Sequence, residues 1–237
     1  MSMINRLLFE PPGGQFREYI GLSTLFVTEN LDLYRKLLPE EFSMPELPVV
    51  YMFAADYMKI VRWPLSRYQE WAVSLSCTCN GEPGIHCITM PVTKRLPRIG
   101  GRMIGFPKYI VDSISLERHD QGWLARGLYK GRQQMSLEFK PGLTRQLEPW
   151  EDAYLSDEAF FKQIATFQLV PPSQGPKIYR IYVKDVVPPN WAPENGMLQV
   201  KVHPSEPWAG LVKEGEAYPG SFNHFKGGAI ITWTVVR

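Results

Sequence analysis

Short segments in which apolar and polar residues alternate recur along most of this chain, with turn-forming residues between them. The 21 prolines and 19 glycines interrupt regular elements, and alternation over about 4 to 8 residues is typical of half-buried strands. We predict strands at residues 17–27, 48–61, 68–79, 84–93, 109–117, 122–130, 133–139, 177–187, 197–202 and 228–236. Strands at this spacing favour a mainly β fold (α+β), an antiparallel barrel or sandwich with a few peripheral helices.

Helical patterns are few. Thr28 is a suitable N-cap for a helix whose apolar stripe ends before Pro39, because proline cannot continue a helix. A second helix is expected near residues 157–167, with Ser156 as its N-cap. The segment 94–101, KRLPRIGG, is predicted to be a loop.

Charge and hydropathy exclude several classes of function. The formal net charge of +2 gives no bulk electrostatic attraction to nucleic acid or to an anionic membrane. Residues 1–14 lack the continuous apolar core of a signal peptide, and no segment is long enough to span a membrane. Nothing marks a domain boundary. We therefore expect one domain over residues 1–237, in a soluble cytoplasmic protein that binds neither nucleic acid nor membrane.

The cysteines and glycines give little support to metal, disulfide or cofactor chemistry. Three cysteines are too few, and their number is odd, for a disulfide framework. Cys77 and Cys79 share one face of a predicted strand and are best explained as small buried residues. Together with Cys87 and His86 they do not match a zinc spacing. The glycines of segment 100–105 do not fit a phosphate loop or a dinucleotide fingerprint, so we expect no metal and no cofactor.

One lysine follows directly after an apolar turn. Lys108 ends the run GGRMIGFPK, in which Met103, Ile104, Phe106 and Pro107 are its apolar neighbours. Apolar surroundings strip water from an ammonium group and favour the neutral amine, which is a nucleophile that can form an imine, or Schiff base, with a ketone. The alternative is an ordinary lysine at a strand edge, whose amine extends into water.

Four short segments share their order and spacing with one known enzyme family. They are FREY at 16–19, YRKLLPE at 34–40, YQE at 68–70 and GRMIGFPK at 101–108. Each segment alone is a weak signal, but their order and spacing over residues 15–112 are specific. In these segments the chain resembles the acetoacetate decarboxylase family.

The resemblance implies a single domain with a closed antiparallel β-barrel or cone-like sheet, and it implies catalytic roles for three residues. Lys108 would form the imine. Acetoacetate decarboxylase is itself the standard example of a lysine activated by burial or by a cationic neighbour. Glu70 would move a proton or orient the substrate, unless it is a solvent-facing strand residue. Arg17 would bind the substrate carboxylate through its planar guanidinium, unless it forms a surface ion pair.

Four further residues are candidate substrate contacts. Phe106 belongs to the apolar turn, and Tyr109 follows the lysine directly. Met90 falls where the family has substrate-pocket residues, although core packing would explain an apolar residue there more simply. Arg102 lies in the same glycine-rich segment, where it would alternatively donate hydrogen bonds to backbone carbonyls.

Several positions depart from the family's pattern and make the predicted site less polar. Tyr109 replaces a second lysine that often follows the imine-forming one, so burial would have to favour the neutral amine without it. Met103 replaces a glutamate. A second acid is expected near Met52 or Phe53, and neither is acidic. The nearest acid is Asp56, on the same strand face as Met52 if the strand is regular.

The residues and the resemblance together favour a cofactor-independent carbon–carbon lyase that acts on a small-molecule keto acid. The first hypothesis is decarboxylation of a β-keto acid through an imine on Lys108. The second is an aldolase or dehydratase that uses the same lysine, and the third is a non-catalytic relative that binds a small carbonyl or aromatic ligand. The less polar site weakens the case for acetoacetate as substrate and would suit a larger one. The resemblance also favours a homo-oligomer.

Overall fold

The predicted strands are present, although the one predicted at 109–117 is divided into two, and a further strand lies at Ala165–Val170. The computed structural model describes residues 16–60, 67–156, 165–170, 177–186 and 193–236. Within these residues the strands are β1 (Phe16–Val27), β2 (Val49–Ile60), β3 (Tyr68–Cys79), β4 (Glu82–Val92), β5 (Lys108–Ile110), β6 (Ser113–His119), β7 (Gly122–Tyr129), β8 (Arg132–Pro141), β9 (Ala165–Val170), β10 (Lys177–Val186), β11 (Glu194–Val202) and β12 (Ala217–Val236). The helices are α1 (Leu31–Leu37), α2 (Arg95–Met103) and α3 (Pro149–Ser156), with a 3-10 turn at Ala209–Leu211. None of the helices described is long and apolar enough to cross a membrane.

The strands form one strongly curled sheet, a half-barrel with short peripheral helices. Hydrogen-bonded neighbours follow the order β1-β2-β3-β4-β9-β10-β12-β11-β8-β7-β6, and β1 also pairs with β12. The N-terminal part of the long strand β12 pairs with β11, and its C-terminal part pairs with β10. Strand β12 therefore joins β10 and β11 within one sheet. The predicted mainly β fold is confirmed. The sheet is mixed, since β4 runs parallel to both β5 and β9.

The two faces of β2 and β3 carry different sets of side chains, because successive residues of a strand point to opposite faces. One face packs into the main hydrophobic core, with Met52 and Ala54 from β2 and Trp71 and Val73 from β3. Burial of each large apolar side chain contributes about 1.5 to 3 kcal/mol. We call the opposite face the second face. It carries Phe53, Ala55 and Tyr57 of β2 opposite Ala72, Glu70 and Tyr68 of β3.

Tight turns fix the register of two hairpins. Asn80 and Gly81, between β3 and β4, have φ angles of 52° and 81°, and Lys130 and Gly131, between β7 and β8, have 51° and 72°. Two successive residues with positive φ suit a two-residue type I′ turn, whose twist matches that of the strands. The hairpin predicted around residues 130–132 is confirmed.

Helix α1 forms as predicted but begins later than expected. Its N-cap is Asn30, whose Oδ1 accepts a hydrogen bond from the backbone N–H of Leu33 at 3.1 Å. The hydroxyl of Thr28 donates instead to the carbonyl oxygen of Leu211 at 3.0 Å. The prediction of Thr28 as N-cap is therefore wrong, because its oxygen accepts from the backbone N–H of Asn30 at 3.2 Å, in the turn before the helix, and Asn30 supplies the cap.

Two other predictions about helices fail. Residues 95–101 of the predicted loop belong to helix α2, which tolerates Pro97 because the first-turn N–H groups of a helix lack intrahelical partners. Of the helix predicted at 157–167, residues 157–164 lie outside the described residues. Residues 165–167 begin strand β9, because β9 gains hydrogen bonds from β4 and β10. Ser156, the predicted N-cap, is the last residue of α3.

The cysteines are buried and form no disulfides. Cys77 and Cys79 pack in the main core, as predicted for small buried residues. Cys87 belongs to a separate cluster with Ala72, on the second face.

Candidate active site

The turn between α2 and β5 positions Lys108. The backbone N–H of Phe106 donates to the carbonyl of Gly101 at 3.0 Å, which folds the chain back at the end of the helix. Gly105 has a φ of +90°, a conformation that favours glycine. Strand β5 then pairs in parallel with β4, with Lys108 opposite Met90. The lysine is therefore held at an edge of β4, beside the second face of the sheet.

Gly101 makes room for the lysine side chain. A Cβ atom at position 101 would lie 2.4 Å from Cδ and 2.5 Å from Cε of Lys108, far inside the contact distance of about 3.5 to 4.0 Å between carbon atoms. At the neighbouring Gly100, a Cβ would meet nothing within 4 Å. The aliphatic part of Lys108 thus packs directly on the backbone of α2, which restricts where its amine can lie.

Lys108 and Glu70 form a buried ion pair. The two residues are 7% and 5% exposed, and Nζ of Lys108 lies 2.6 Å from Oε2 of Glu70. The alternatives of a lysine extended into water and of a solvent-facing glutamate are therefore both wrong. Removing either partner would leave the other charge buried and uncompensated, which is strongly unfavourable.

A tyrosine of the neighbouring strand binds the second oxygen of Glu70. The hydroxyl of Tyr57 donates to Oε1 at 3.1 Å. Burial, reinforced by the negative charge of Glu70, raises the pKa of Tyr57 well above its ordinary value, so the phenol keeps its proton and remains a donor. The pKa of Tyr68 is raised for the same two reasons. Lys108 and Tyr57 together fix the orientation of the carboxylate.

Apolar side chains pack around this ion pair, and we call this cluster of residues the pocket. The buried members of the cluster and the partly buried residues packed on it are Ala72, Cys87, Met90, Phe53 and Phe106. The rings of Tyr68 and Phe106 each have their centroid 5.9 Å from Nζ of Lys108. The structure therefore brings Glu70, Met90 and Phe106 to Lys108, as the sequence predicted.

The thiol of Cys87 is part of this wall. Burial raises the pKa of Cys87 to about 12, so the thiol is neutral near pH 7. Only a thiolate is a strong nucleophile, and we therefore assign Cys87 a packing role in the pocket.

A row of aromatic rings leads away from the ion pair across four strands. Its members, in order, are Tyr68, Tyr57, Tyr19 and Phe225, with 4.9, 5.6 and 5.0 Å between successive ring centroids. Beside this row, Glu70 is followed in register by Ala55 and Gly21. Ala55 has a small side chain and Gly21 has none. The face of the sheet therefore carries little side-chain volume next to the aromatic rings, from Glu70 across β2 to β1.

Three of the predicted site residues lie elsewhere or cannot be placed. Tyr109 packs against the main core, edge to face with Tyr129, and its hydroxyl accepts a hydrogen bond from Gln134 at 3.0 Å. The side chain of Arg102 is exposed. Arg17 lies in β1, but its side chain falls outside the described residues. The structure does not bring Tyr109 or Arg102 to Lys108.

Asp56 does not supply a second acid to the site. Its carboxylate, 2% exposed, is bound by Nε of Arg67 at 2.9 Å to both oxygens and by the amide of Gln69 at 3.0 Å. Asp56 pairs with Gln69 across the strands, whereas Glu70 is the next residue and faces the other way. Asp56 therefore balances Arg67 on the face opposite the pocket.

Sequence reasoning did not find Tyr57 or Cys87. Both lie in strands that the sequence predicts, and alternation from Phe53 already places Tyr57 on the same face. The sequence does not show which residues of β2 and β3 pair with each other. Only the pairing of Tyr57 with Tyr68 shows that its hydroxyl reaches the carboxylate two residues further along β3.

Comparisons with known proteins agree with this geometry. A family model described as acetoacetate decarboxylase (ADC) matches residues 11–222, while no curated protein matches the chain significantly. The enduracididine biosynthesis enzyme MppR, solved in complex with pyruvate, is 14% identical, with a TM-score of 0.66 over 94% of this chain and 91% of that chain. An acetoacetate decarboxylase from Legionella pneumophila subsp. pneumophila str. Philadelphia 1 is 17% identical, with a TM-score of 0.63 over 94% and 88% of the two chains. An acetoacetate decarboxylase-like enzyme from Sphingomonas wittichii RW1 is 18% identical, with a TM-score of 0.55 over 92% and 93%.

The solved structures and the family model support different conclusions. At identities of 14% to 18%, the structural neighbours establish the fold alone. The family model spans most of the chain and includes the segments that carry Arg17, Glu70 and Lys108. The chain therefore belongs to the acetoacetate decarboxylase family.

Proposed function

We propose that this protein is a cofactor-independent decarboxylase of a β-keto acid, in which Lys108 forms an imine with the ketone of the substrate. The observation that carries the proposal is the contact of 2.6 Å between Nζ of Lys108 and Glu70, inside a pocket of otherwise apolar side chains. Such a pair combines a nucleophile with a proton acceptor, and imine formation requires both.

Imine formation would use the two groups in turn. The ammonium of Lys108 passes a proton to Glu70, and the free amine adds to the ketone carbon. A proton then moves from nitrogen to the new alkoxide, which gives a neutral carbinolamine. Glu70 returns its proton to the hydroxyl, which leaves as water while the nitrogen lone pair forms the C=N bond. The products are a protonated imine and a Glu70 carboxylate, held in place by Tyr57.

Decarboxylation follows from the charge on the imine. The bond between the carboxylate carbon and the α-carbon breaks, its electron pair moves toward the nitrogen, and carbon dioxide leaves behind a neutral enamine. This step consumes one positive and one negative charge, so a pocket without water favours it. Protonation of the α-carbon and addition of water then release the ketone and restore Lys108.

Three of the remaining predicted residues have supporting roles in this scheme. Met90 and Phe106 contact the substrate as apolar walls beside Lys108. Arg17 stands in β1 two residues before Tyr19, whose ring is third in the aromatic row, and is proposed to bind the substrate carboxylate. We assign no role in catalysis to Tyr109 or Arg102.

A second candidate is an aldolase or dehydratase that uses the same lysine. MppR has been solved with pyruvate and with the condensation product of pyruvate and imidazole 4-carboxaldehyde. An enamine on Lys108 would attack a carbon electrophile in such a reaction, where the decarboxylase adds a proton. The apolar Met52 and Phe53, where the family's second acid is expected, favour a departure from the parent reaction.

Release of carbon dioxide decides between the two candidates. Wild type should release it from acetoacetate or from the longer 3-oxohexanoate, and Lys108→Arg, which retains a cation beside Glu70, should not exceed the uncatalysed rate. Imine formation without carbon dioxide would favour the aldolase or dehydratase. Full carbon dioxide release by Lys108→Arg would refute both, since neither reaction proceeds without the amine.

A further inference from the structure

A buried glutamine beside the Lys108 turn lacks hydrogen-bond partners. Gln168, in β9, is 0% exposed, and within the described ranges neither Nε2 nor Oε1 of its side chain has a partner. Burying an unpaired amide is costly, and the great majority of buried polar groups in folded proteins are paired. An unpaired amide next to a pocket is explained if a ligand completes it.

Gln168 lies on the same face of the sheet as the pocket. Its neighbours Phe167 and Leu169 pack against the main core, so alternation directs Gln168 to the second face. Strand β9 runs parallel to β4, with Thr166 opposite Ile85. Two residues further along this register, Gln168 comes level with Cys87, which is a member of the pocket cluster.

The turn before Lys108 packs on this part of β9. A Cβ at Gly105 would lie 2.9 Å from Cβ of Gln168 and 2.8 Å from the carbonyl oxygen of Leu169. In the sheet, β4 lies between β3, which carries Glu70, and β9, which carries Gln168. Strand β5 pairs with β4 along the same edge as β9, so Lys108 and Gln168 lie along one edge of β4, and the amine of Lys108 reaches across β4 to Glu70.

We infer that Gln168 binds a polar group of the substrate that both donates and accepts a hydrogen bond, an amide being the simplest example. The inference rests on the proposed function, which places the ketone at Lys108. Because Nε2 donates and Oε1 accepts, an alkyl group would leave both atoms unpaired. A carboxylate could pair with Nε2 but would repel Oε1.

A polar group bound at Gln168 restricts which β-keto acids can be the substrate. The ketone is bound at Lys108, and the substituent on the side of β9 passes the apolar Met90 and Cys87 before it reaches Gln168. Acetoacetate carries only a methyl group in that position. The substrate is thus a β-keto acid whose remote substituent ends in an amide or a group of the same hydrogen-bonding pattern.

Two ketones of matched shape test this inference. In 4-acetamidobutan-2-one the chain carries an amide, and in 6-methylheptan-2-one carbon atoms replace the amide with the same branching. Each is trapped on the full-length protein with cyanoborohydride, and the adduct is measured by mass spectrometry. Wild type should prefer the amide ketone by about tenfold or more, since two buried polar atoms gain partners. Gln168→Met, which retains the side-chain volume, should lose that preference.

A matched control uses the same substitution in β3, on the other side of β4. The amide of Gln69 is hydrogen-bonded to Asp56 and Thr93 on the opposite face, so Gln69→Met should retain the preference. The ratio of the two adducts is independent of any loss of folded protein. An equal yield from the two ketones in wild type, or a preference that survives in Gln168→Met, overturns the inference.

Failure of the proposed function would be visible separately. If neither ketone forms an adduct in wild type, the imine on Lys108 is refuted, and calorimetric affinities for the same ketones then test Gln168 alone. A preference for the amide that disappears in Gln168→Met supports the inference, and equal affinities in wild type overturn it.

Discussion

Replacing Gly101 by alanine should disable the enzyme without unfolding it. The new Cβ would lie 2.4 Å from Cδ of Lys108, where ordinary contacts begin at 3.4 Å. The obstructed atoms belong to a flexible side chain, so the lysine can retreat by about 1 Å while the backbone stays in place. The contact of 2.6 Å between Nζ and Glu70 would then lengthen to about 3.6 Å, beyond hydrogen-bond range.

The expected cost follows from this displacement. A catalytic group misplaced by about 1 Å loses about 100-fold in rate. Alanine also favours a helix over glycine by about 0.5 to 1 kcal/mol, which offsets part of the cost of separating the buried pair of Lys108 and Glu70, so Gly101→Ala should still fold. The loss of activity is therefore expected to exceed any loss of folded protein.

Gly100→Ala is the matched control, because it makes the same substitution in the same helix where a Cβ meets nothing within 4 Å. Carbon dioxide release and thermal unfolding should be measured for both variants. We expect Gly101→Ala to be folded but about 100-fold slower, and Gly100→Ala to be fully active with a melting temperature no lower than that of wild type. If Gly101→Ala is as active as Gly100→Ala, the packing of Lys108 on α2 does not position the amine.

Three further perturbations test other parts of the site and the core. Glu70→Gln retains the side-chain size but removes the proton acceptor, so kcat for carbon dioxide release should fall by about 100- to 10,000-fold; an unchanged kcat would exclude Glu70 from proton transfer. Tyr57→Phe removes the donor 3.1 Å from Glu70 and should lower kcat by about fivefold, as expected for one hydrogen bond of about 1 kcal/mol, and a wild-type rate would contradict its orienting role. Burial raises the pKa of Cys77 and of Cys87 from 9.0 to about 12, so the unfolded chain loses these protons first as the pH rises. Between those two values the free energy of unfolding should fall by about 1.4 kcal/mol per thiol per pH unit. Urea titrations should show a smaller fall for the variant with both Cys77→Ala and Cys87→Ala, and equal slopes would contradict the assignment.

The parts of this site that the sequence predicts are those carried by contiguous segments. Lys108 and Glu70 each lie in a short run that resembles a family motif, and alternation places the strands that hold them. The residues of segment 94–101 were harder to interpret, since Pro97 and two glycines are typical of loops. Helix α2 forms because the proline falls in its first turn, where no hydrogen bond is lost.

The parts that the sequence does not predict depend on register between distant strands. Tyr57 reaches Glu70 only because β2 and β3 pair in one register. Gln168 directly follows the helix predicted at residues 157–167, and only the pairing of β9 with β4 and β10 shows it as a strand residue beside the pocket. For Asp56, alternation of side chains along the strand predicts only part of the answer. The face it shares with Met52 was predicted, but the position of the pocket on the other face was not.

Reductive trapping shows directly whether Lys108 forms an imine with a keto acid. Wild-type protein is incubated with borohydride and a keto acid, either acetoacetate or a longer 3-oxo acid, and the modified lysine is located by peptide mass spectrometry. We expect a single adduct on Lys108, and no adduct in Lys108→Arg. Release of carbon dioxide without any adduct on Lys108, or an adduct on a different lysine, would contradict it.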